Sequence, residues 1–146
     1  MNDGVIFTCG QCGQQNRVAY GRLLGHARCG SCKHPLREPG TVMAVDALDD
    51  LEGVLKNASA PVLVDFWAPW CGPCRQVAPE VAKVAARHKD DLLVLKVNTD
   101  VDRTVGARFG ISSIPTMAVF HQGREVGRTS GARPAAAIES WVSSVL

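Results

Sequence analysis

The chain has 146 residues, of which 46% are hydrophobic and 21% charged, and its formal net charge is +2. This length suffices for one ordinary globular domain and a little more, and the proportions exclude wholesale disorder. The small net charge argues against nucleic acid or a membrane as the main partner, and no stretch approaches the roughly 18 consecutive apolar residues of a membrane span.

The six cysteines divide the chain. Its N-terminus lacks the basic and apolar regions of a secretory signal peptide, so we expect a cytoplasmic protein. In that compartment thiols stay reduced, and paired cysteines indicate metal or redox chemistry. The three Cys-x-x-Cys pairs are Cys9/Cys12, Cys29/Cys32 and Cys71/Cys74. A turn signal at residues 38–40 follows the second pair, which predicts a small zinc-binding module over residues 1–40 and a second domain over residues 41–146.

The first two pairs have the spacing of a four-cysteine zinc site. Cys9, Cys12, Cys29 and Cys32 would complete a tetrahedron of thiolates around Zn²⁺. A module of about 40 residues is too small to be stabilised by core burial alone, so a metal or a disulfide is expected. Two disulfides are the alternative, and a reducing compartment favours zinc.

Glycines and histidines accompany these cysteines. Gly10, Gly13 and Gly30 offer the permissive backbone that tight turns around a metal require. His26 and His34 are alternative ligands. Because four thiols already fill the coordination shell, we expect a closed structural site rather than a catalytic one.

After residue 40, apolar runs alternate with amphipathic stretches, which predicts an α/β domain with a mixed sheet. Strands are predicted over residues 41–45, 62–66, 92–97, 116–121 and 125–129, the last two forming a hairpin around residues 122–124. Helices are predicted after an Asp46 N-cap, over residues 71–88 with a bend at Pro79, over residues 100–109, and from Pro134. The inward positions of the first and last helices are Leu48, Leu51, Val54 and Leu55, and Ile138, Trp141 and Val142.

The third cysteine pair follows a buried strand and opens a helix. Two residues between cysteines in a first helical turn let the sulfurs approach disulfide distance. Unpaired N–H groups and the helix dipole favour a thiolate at Cys71, the species that attacks disulfides. Cys74 lies one turn further in and suits the resolving role. Pro73 stiffens the turn, and Gly72 leaves room for a partner.

Asp65 is a lone carboxylate in an otherwise apolar strand. Burial would raise its pKa towards neutrality and make it a proton acceptor for a nearby thiol. Lys96, on the neighbouring strand, is the natural counter-ion, and a purely structural ion pair is the alternative. Pro115 precedes another strand; X–Pro bonds in folded proteins are cis only about 5–6% of the time, which by itself favours trans.

These residues carry a resemblance to the thioredoxin family. Residues 64–74 read Val-Asp-Phe-Trp-Ala-Pro-Trp-Cys-Gly-Pro-Cys, and the later motifs are Lys96-Val97-Asn98, Phe109-Gly110-Ile111, Ile114-Pro115-Thr116, Gly123 and Gly131. The motifs occur in order across residues 41–146, and the Trp-Cys-Gly-Pro-Cys core is highly specific. With a four-cysteine ribbon at its N-terminal end, the whole chain resembles the thioredoxin-2 group of bacteria.

The resemblance implies the thioredoxin fold and a dithiol that reduces disulfides of substrate proteins. It implies that Cys71 attacks, that Cys74 resolves, and that Asp65 and Lys96 assist proton transfer. It also implies a cis Pro115 beside the sulfurs, replacing the trans expectation. The implied substrate groove is lined by Trp70, Gly72, Pro73, Pro115 and Gly131.

The same resemblance implies that a thioredoxin reductase drawing on NADPH restores the dithiol. The sequence has no Gly-x-Gly-x-x-Gly fingerprint, so we expect no direct binding of NADPH. We expect a monomer with structural zinc and a redox-active Cys71–Cys74 disulfide. Two other functions stay open: a disulfide oxidase or isomerase, and a zinc-ribbon binding module with the second domain as scaffold.

Overall fold

The structure of the chain is a computed structural model that describes residues 3–146. The strands are β1 (Gly4–Thr8), β2 (Gln15–Ala19), β3 (Met43–Ala44), β4 (Val62–Trp67), β5 (Leu93–Asn98), β6 (Thr116–His121) and β7 (Arg124–Ser130). The helices are α1 (Leu48–Asn57), α2 (Gly72–Arg87), α3 (Thr104–Phe109) and α4 (Ala135–Val145), with a short 3-10 turn at Tyr20–Arg22. No helix in the described part of the chain is long and apolar enough to cross a membrane.

The larger sheet has five strands in the order β3-β5-β4-β6-β7. β5 is parallel to both β3 and β4, whereas β6 is antiparallel to β4 and to β7. The central strands are almost continuously apolar because helices cover both faces of the sheet. The predicted α/β class with a mixed sheet is therefore confirmed.

Each face of this sheet has its own apolar core. On one face α2 and α4 pack against the sheet through Leu63, Val94 and Val119 of the strands and Val77, Val81, Ile138 and Val142 of the helices. On the other face α1 and α3 pack through Val64, Phe66 and Leu95 of the strands and Leu51, Val54 and Val105 of the helices. The predicted inward faces of the first and last helices agree with this packing, although Leu48 and Trp141 are only partly buried.

The N-terminal segment contains an antiparallel hairpin, β1–β2, that the sequence analysis did not predict. Its strands are short, and only Gly4 and Val18 in them are buried, so they lack a clear alternation of apolar residues. The buried side chains that follow β1 belong to the same core as α1. Val18, Tyr20 and Leu23 all join that cluster.

Tyr20 fixes the contact between the N-terminal segment and α1. Its hydroxyl donates to Asp50 at 2.8 Å. Its ring lies so close to Gly53 that a Cβ at position 53 would come within 2.2 Å of it. A residue without a side chain is thus required in α1 at the point where the N-terminal segment rests on it.

The predicted N-cap at Asp46 is wrong. The N-cap of α1 is Ala47, which has no capping side chain. The Leu48 N–H instead donates to Asp102 Oδ2 at 3.0 Å, while Asp46 Oδ1 accepts from the Asn98 N–H at 2.9 Å. Both carboxylates satisfy backbone donors, but each serves an element distant in sequence.

Other boundaries shift by a few residues. α3 begins at Thr104 rather than residue 100, because Asp102 accepts from the Thr104 N–H and ends a turn there. The β6–β7 loop is two residues, not three, since Arg124 already pairs with His121. Gln122 and Gly123 both have positive φ, as a tight hairpin turn requires.

Candidate active site and metal site

Cys71 occupies the N-cap of α2, directly after the loop that leaves β4. It is joined to Cys74 by a disulfide, with the two Cα atoms 5.3 Å apart. The Cys74 N–H donates to Cys71 Sγ at 3.2 Å, and Pro73 lies in the first turn of α2. The sulfur of Cys71 therefore lies at the end of the helix where unpaired N–H groups stabilise negative charge.

The two cysteines are almost equally buried in this disulfide form, with 5% of Cys71 and 3% of Cys74 exposed. The position of Cys74 one turn further into the helix thus gives it almost no additional burial in this form. What distinguishes the two sulfurs is the N–H donor at Cys71 Sγ. A thiolate at Cys71 would keep this hydrogen bond after reduction.

The loop before β6 packs against this disulfide. Cys71 Sγ lies 3.8 Å from the carbonyl oxygen of Ile114. The bond between Ile114 and Pro115 is cis, and Pro115 is buried. The N–H of Gly131, at the end of β7, donates to the Pro115 carbonyl at 2.9 Å. The structure therefore places Cys71 against the carbonyl of Ile114, the residue before Pro115, and places Gly131 against Pro115.

An exposed surface surrounds the two sulfurs. Trp70 has 69% of its surface exposed, and Gly72 and Pro73 are exposed as well. The indole N–H of Trp70 donates to Asp100 Oδ2 at 3.0 Å. Asp100 was missed by the sequence analysis, since it follows β5 and nothing in its neighbourhood marks it as a partner of Trp70.

Asp65 lies on β4 with 4% of its surface exposed. It points to the same face as Leu63, two residues earlier, and so towards the layer formed by α2. Burial raises the pKa of the Asp65 carboxyl to about 6, and the charge of Lys96 acts in the opposite direction. Oδ1 of Asp65 has no hydrogen-bond partner among residues 3–146. A carboxyl in this state can exchange a proton near neutral pH.

Lys96 lies directly opposite Asp65 in the β4–β5 register. Its ammonium group lies over the ring of Trp67, 5.9 Å from the ring centroid, and the side chain is exposed. The positive charge of Lys96 thus acts on Asp65 electrostatically. The ammonium group itself makes a cation–π contact with Trp67.

The second cluster of sulfurs lies in the N-terminal segment. Cys9, Cys12, Cys29 and Cys32 place their sulfur atoms within 4.8 Å of one another. The Sγ atoms of Cys9 and Cys32 are 3.6 Å apart, as are those of Cys12 and Cys29. Zn–S bonds of about 2.3 Å in a tetrahedron would place the sulfurs about 3.8 Å apart. The four side chains therefore fit a tetrahedral ion.

The two cysteine turns have the same backbone hydrogen bonds. The N–H of Gly13 donates to the carbonyl of Cys9 at 3.0 Å, and that of Lys33 to the carbonyl of Cys29 at 2.9 Å. Both donors, Gly13 and Lys33, have positive φ. Of the three expected glycines only Gly13 meets this need; in the second turn a lysine does. No histidine belongs to the cluster, and His26 and His34 are exposed.

Backbone donors favour thiolates at two of these cysteines, Cys9 and Cys29. The pKa of Cys29 is lowered to about 6, chiefly because the N–H of Cys32 and then that of Ser31 donate to its sulfur. The pKa of Cys9 is also lowered, chiefly by the N–H groups of Cys12 and Gln11. At Cys32 the N–H of His34 acts to lower the pKa, but burial and the neighbouring thiols outweigh it and raise the pKa to about 12. Deprotonated thiols are the form that binds Zn²⁺, so Cys9 and Cys29 are the thiols best prepared for the metal, and the distances among all four sulfurs suit it.

Comparisons with known proteins agree with this arrangement. The thioredoxin family model matches residues 42–144. Thioredoxin C-3 of Corynebacterium nephridii is 32% identical over 142 residues, covering 97% of this chain and 96% of that protein. Thioredoxin 1 of Synechococcus elongatus is 53% identical over 78 residues, covering 53% of this chain and 73% of that protein.

Solved structures show the same fold. A mutant thioredoxin from Halobacterium salinarum NRC-1 matches with a TM-score of 0.66 and 27% sequence identity, covering 75% of this chain and 94% of that one. Thioredoxin from Malassezia sympodialis matches with a TM-score of 0.65 and 25% identity, covering 72% of this chain and 93% of that one. This chain therefore has the thioredoxin fold and is a member of the thioredoxin family of thiol–disulfide oxidoreductases.

Proposed function

We propose that the chain reduces disulfides of substrate proteins through the dithiol of Cys71 and Cys74. The observation that carries this proposal is the disulfide at the first turn of α2, in contact with the Ile114–Pro115 loop. Family membership supports disulfide reduction in general. The helix N-terminus supports Cys71 as the attacking residue.

In the first step the Cys71 thiolate attacks one sulfur of the substrate disulfide. A mixed disulfide forms between Cys71 and the substrate, and the other substrate sulfur leaves as a thiolate that takes up a proton. The N–H of Cys74, which donates to Cys71 Sγ at 3.2 Å, stabilises the thiolate before the attack.

In the second step the Cys74 thiol loses its proton and attacks Cys71 Sγ. The Cys71–Cys74 disulfide forms, and the second substrate sulfur leaves and is protonated. Two electrons and two protons pass to the substrate in total. Asp65, buried on the α2 side of the sheet with a pKa of about 6, accepts the proton of Cys74 in this proposal, and Lys96 tunes that pKa.

The substrate lies in a groove formed by Trp70, Gly72, Pro73, Pro115 and Gly131. The exposure of Trp70, Gly72 and Pro73 supports this assignment. So does the contact between Pro115 and Gly131 beside the sulfur of Cys71. Reduction of the resulting disulfide falls to a thioredoxin reductase, with no NADPH bound by this chain. We further propose a monomer that works in the cytoplasm.

The N-terminal segment is proposed to be a zinc ribbon, residues 1–40, followed by a thioredoxin domain, residues 41–146, as in the thioredoxin-2 group. The distances among the four sulfurs support zinc as the ligand. Zn²⁺ bound there would cross-link the two cysteine turns and hold the β1–β2 hairpin in place. The role is structural because four thiolates leave no open position for a substrate.

The test is turnover of a disulfide-containing protein by the wild type, Cys71→Ser and Cys74→Ser, with a thioredoxin reductase and NADPH as the electron supply. We expect both variants to lose turnover. Only Cys74→Ser should accumulate a mixed disulfide with the substrate, because its attacking sulfur is intact. Wild-type turnover by Cys71→Ser would overturn the assignment.

A measurement of the reduction potential separates reduction from oxidation. Thioredoxins have potentials near about −270 mV, whereas disulfide oxidases and isomerases lie roughly 90 to 150 mV higher. A value in the upper range would contradict the proposed direction of the reaction.

A further inference from the structure

We propose that Ser130 is a positioning residue for polypeptide substrates, because its hydroxyl ties the loop that carries Pro115 to the end of β7. The inference rests on the proposed function and adds a residue outside the groove described above. It concerns how a protein disulfide is held rather than how sulfur is exchanged.

The hydroxyl groups of Ser113, Thr116 and Ser130 lie close together where the Pro115 loop meets the end of β7. Thr116 Oγ1 donates to the carbonyl oxygen of Ser113 at 2.6 Å. The hydroxyl oxygens of Thr116 and Ser130 are 3.2 Å apart, and those of Ser113 and Ser130 are 3.4 Å apart. Thr116 is buried, whereas Ser113 and Ser130 are exposed.

The donors and acceptors in this cluster have one consistent direction. Each hydroxyl carries a single proton. Since Thr116 donates its proton to the Ser113 carbonyl, it can only accept from Ser130. Ser130 in turn accepts from Ser113, so the hydrogen bonds form a circuit that leaves Ser113 and returns to it. Such a chain of hydrogen bonds strengthens each of its members.

This circuit holds both ends of the Pro115 loop. On the backbone side, the Gly131 N–H donates to the Pro115 carbonyl at 2.9 Å. On the side-chain side, Ser130 connects the residues immediately before and after Ile114–Pro115. The same loop lies 3.8 Å from Cys71 Sγ. The two links therefore fix where the groove edge lies relative to the attacking sulfur.

The circuit also leaves the exposed Ser113 oxygen without a proton to offer. Its remaining lone pairs can accept an N–H group from a peptide lying along the groove edge. A polypeptide substrate has such groups on either side of its disulfide, whereas a small aromatic disulfide reagent has none. Ser130 should thus affect the binding of proteins and leave the reaction with the small reagent unchanged.

The experiment compares Ser130→Ala with the wild type, using a disulfide-containing protein and a small aromatic disulfide reagent. We expect KM for the protein to rise about 3- to 10-fold, the equivalent of one hydrogen bond. The kcat for the protein and the rate with the small reagent should stay as in the wild type. Ser130→Thr, which keeps the hydroxyl, should restore most of the KM.

Ser143→Ala, on an exposed position of α4, is the matched control and should match the wild type in every measurement. An unchanged KM for Ser130→Ala would overturn the inference. So would an equal loss with both substrates, or a failure of Ser130→Thr to recover binding. Failure of the wild type itself to reduce the protein substrate would instead overturn the proposed function.

Discussion

The N-terminal segment and the start of α2 both use Cys-x-x-Cys spacing, but they place it on different backbones. In the N-terminal segment each pair lies on a tight turn closed by a residue with positive φ, Gly13 or Lys33. At α2 the pair spans the first turn of a helix, and the two sulfurs bond to each other. The two N-terminal turns thus bring four sulfurs together, whereas the start of α2 brings together only two.

The two regions also differ in what stabilises them. Residues 41–146 enclose their own apolar cores on both faces of a five-stranded sheet. The N-terminal segment contributes few buried apolar side chains, chiefly Val18, Tyr20 and Leu23, and they pack into the core under α1. If the four cysteines bind zinc as proposed, this segment depends for its stability on that ion and on its contact with α1. Substitutions at the cysteines or at the α1 contact should therefore destabilise the N-terminal segment more than residues 41–146.

Removal of a metal ligand has the largest expected effect. Cys29→Ser should lower bound zinc from about one ion per chain to near none, because a four-thiolate site contributes most of the free energy that folds so small a module. Metal analysis of the purified protein measures this. His34→Ala, which changes an exposed residue outside the cluster, should keep its zinc. Zinc retained by Cys29→Ser would contradict the ligand assignment.

A change at Asp65 tests the other region and depends on pH. The folded chain holds the Asp65 proton more tightly than the unfolded chain, with a pKa of about 6 against 3.8. The free energy of unfolding should therefore fall as pH rises between these values, by up to about 3 kcal/mol. Asp65→Asn should lack this fall and be more stable than the wild type at pH 8, with no advantage at pH 4.

Urea unfolding of the oxidised protein at several pH values measures this difference. Asp90→Asn, at an exposed position, is the control and should follow the wild type at each pH. If the free energy of unfolding changed with pH in the same way for the wild type and Asp65→Asn, burial would not raise the pKa of the Asp65 carboxyl.

Gly53→Ala should separate the N-terminal segment from α1. The new methyl group would come within 2.2 Å of the Tyr20 ring and force it from its place, with loss of the hydrogen bond to Asp50. The expected cost is about 1–3 kcal/mol in the free energy of unfolding, typical of overpacking. Gly106→Ala in α3 is the matched control, since a Cβ there meets nothing within 4 Å.

Thermal and urea unfolding of the two alanine variants give the comparison. Gly106→Ala should be neutral or slightly stabilising, because alanine favours a helix over glycine by up to about 1 kcal/mol. Equal stability of the two variants would show that Tyr20 is not fixed against α1.

The smallest effect is expected at Asp102, which caps α1 through Oδ2. Asp102→Ala should cost about 0.5–2 kcal/mol of unfolding free energy, the usual value of an N-cap. Asp102→Asn keeps only one acceptor oxygen, which can serve either the Leu48 N–H or the Thr104 N–H, and should recover part of this loss. Denaturant unfolding of both variants checks the assignment, and a neutral Asp102→Ala would contradict it.

The sequence predicts those features that depend on local patterns. Alternating apolar runs and amphipathic stretches locate every strand and helix of residues 41–146 to within a few residues, because both faces of the sheet are covered. The positions of Cys71 and Cys74 at the start of α2 follow from the buried strand before them. The four N-terminal cysteines cluster as their spacing indicates.

Contacts between distant residues could not be predicted in this way. Asp102 accepts from the N–H of Leu48, which is 54 residues away in the chain. The carboxylate of Asp46 is nearer to Leu48 in sequence, but it accepts from the N–H of Asn98, and no local pattern predicts this. Lys33 takes a left-handed conformation that the sequence would assign to glycine. The hydrogen bond between Trp70 and Asp100 likewise depends on how the loops after β4 and β5 meet.

The order in which the chain is synthesised determines which of these contacts can form first. All four cysteines of the N-terminal cluster precede residue 33, so they leave the ribosome before any strand of the five-stranded sheet. The first turn of α1, in contrast, lacks its acceptor until Asp102 has emerged. A growing chain therefore completes its four-cysteine cluster long before the helix against which that cluster's segment packs.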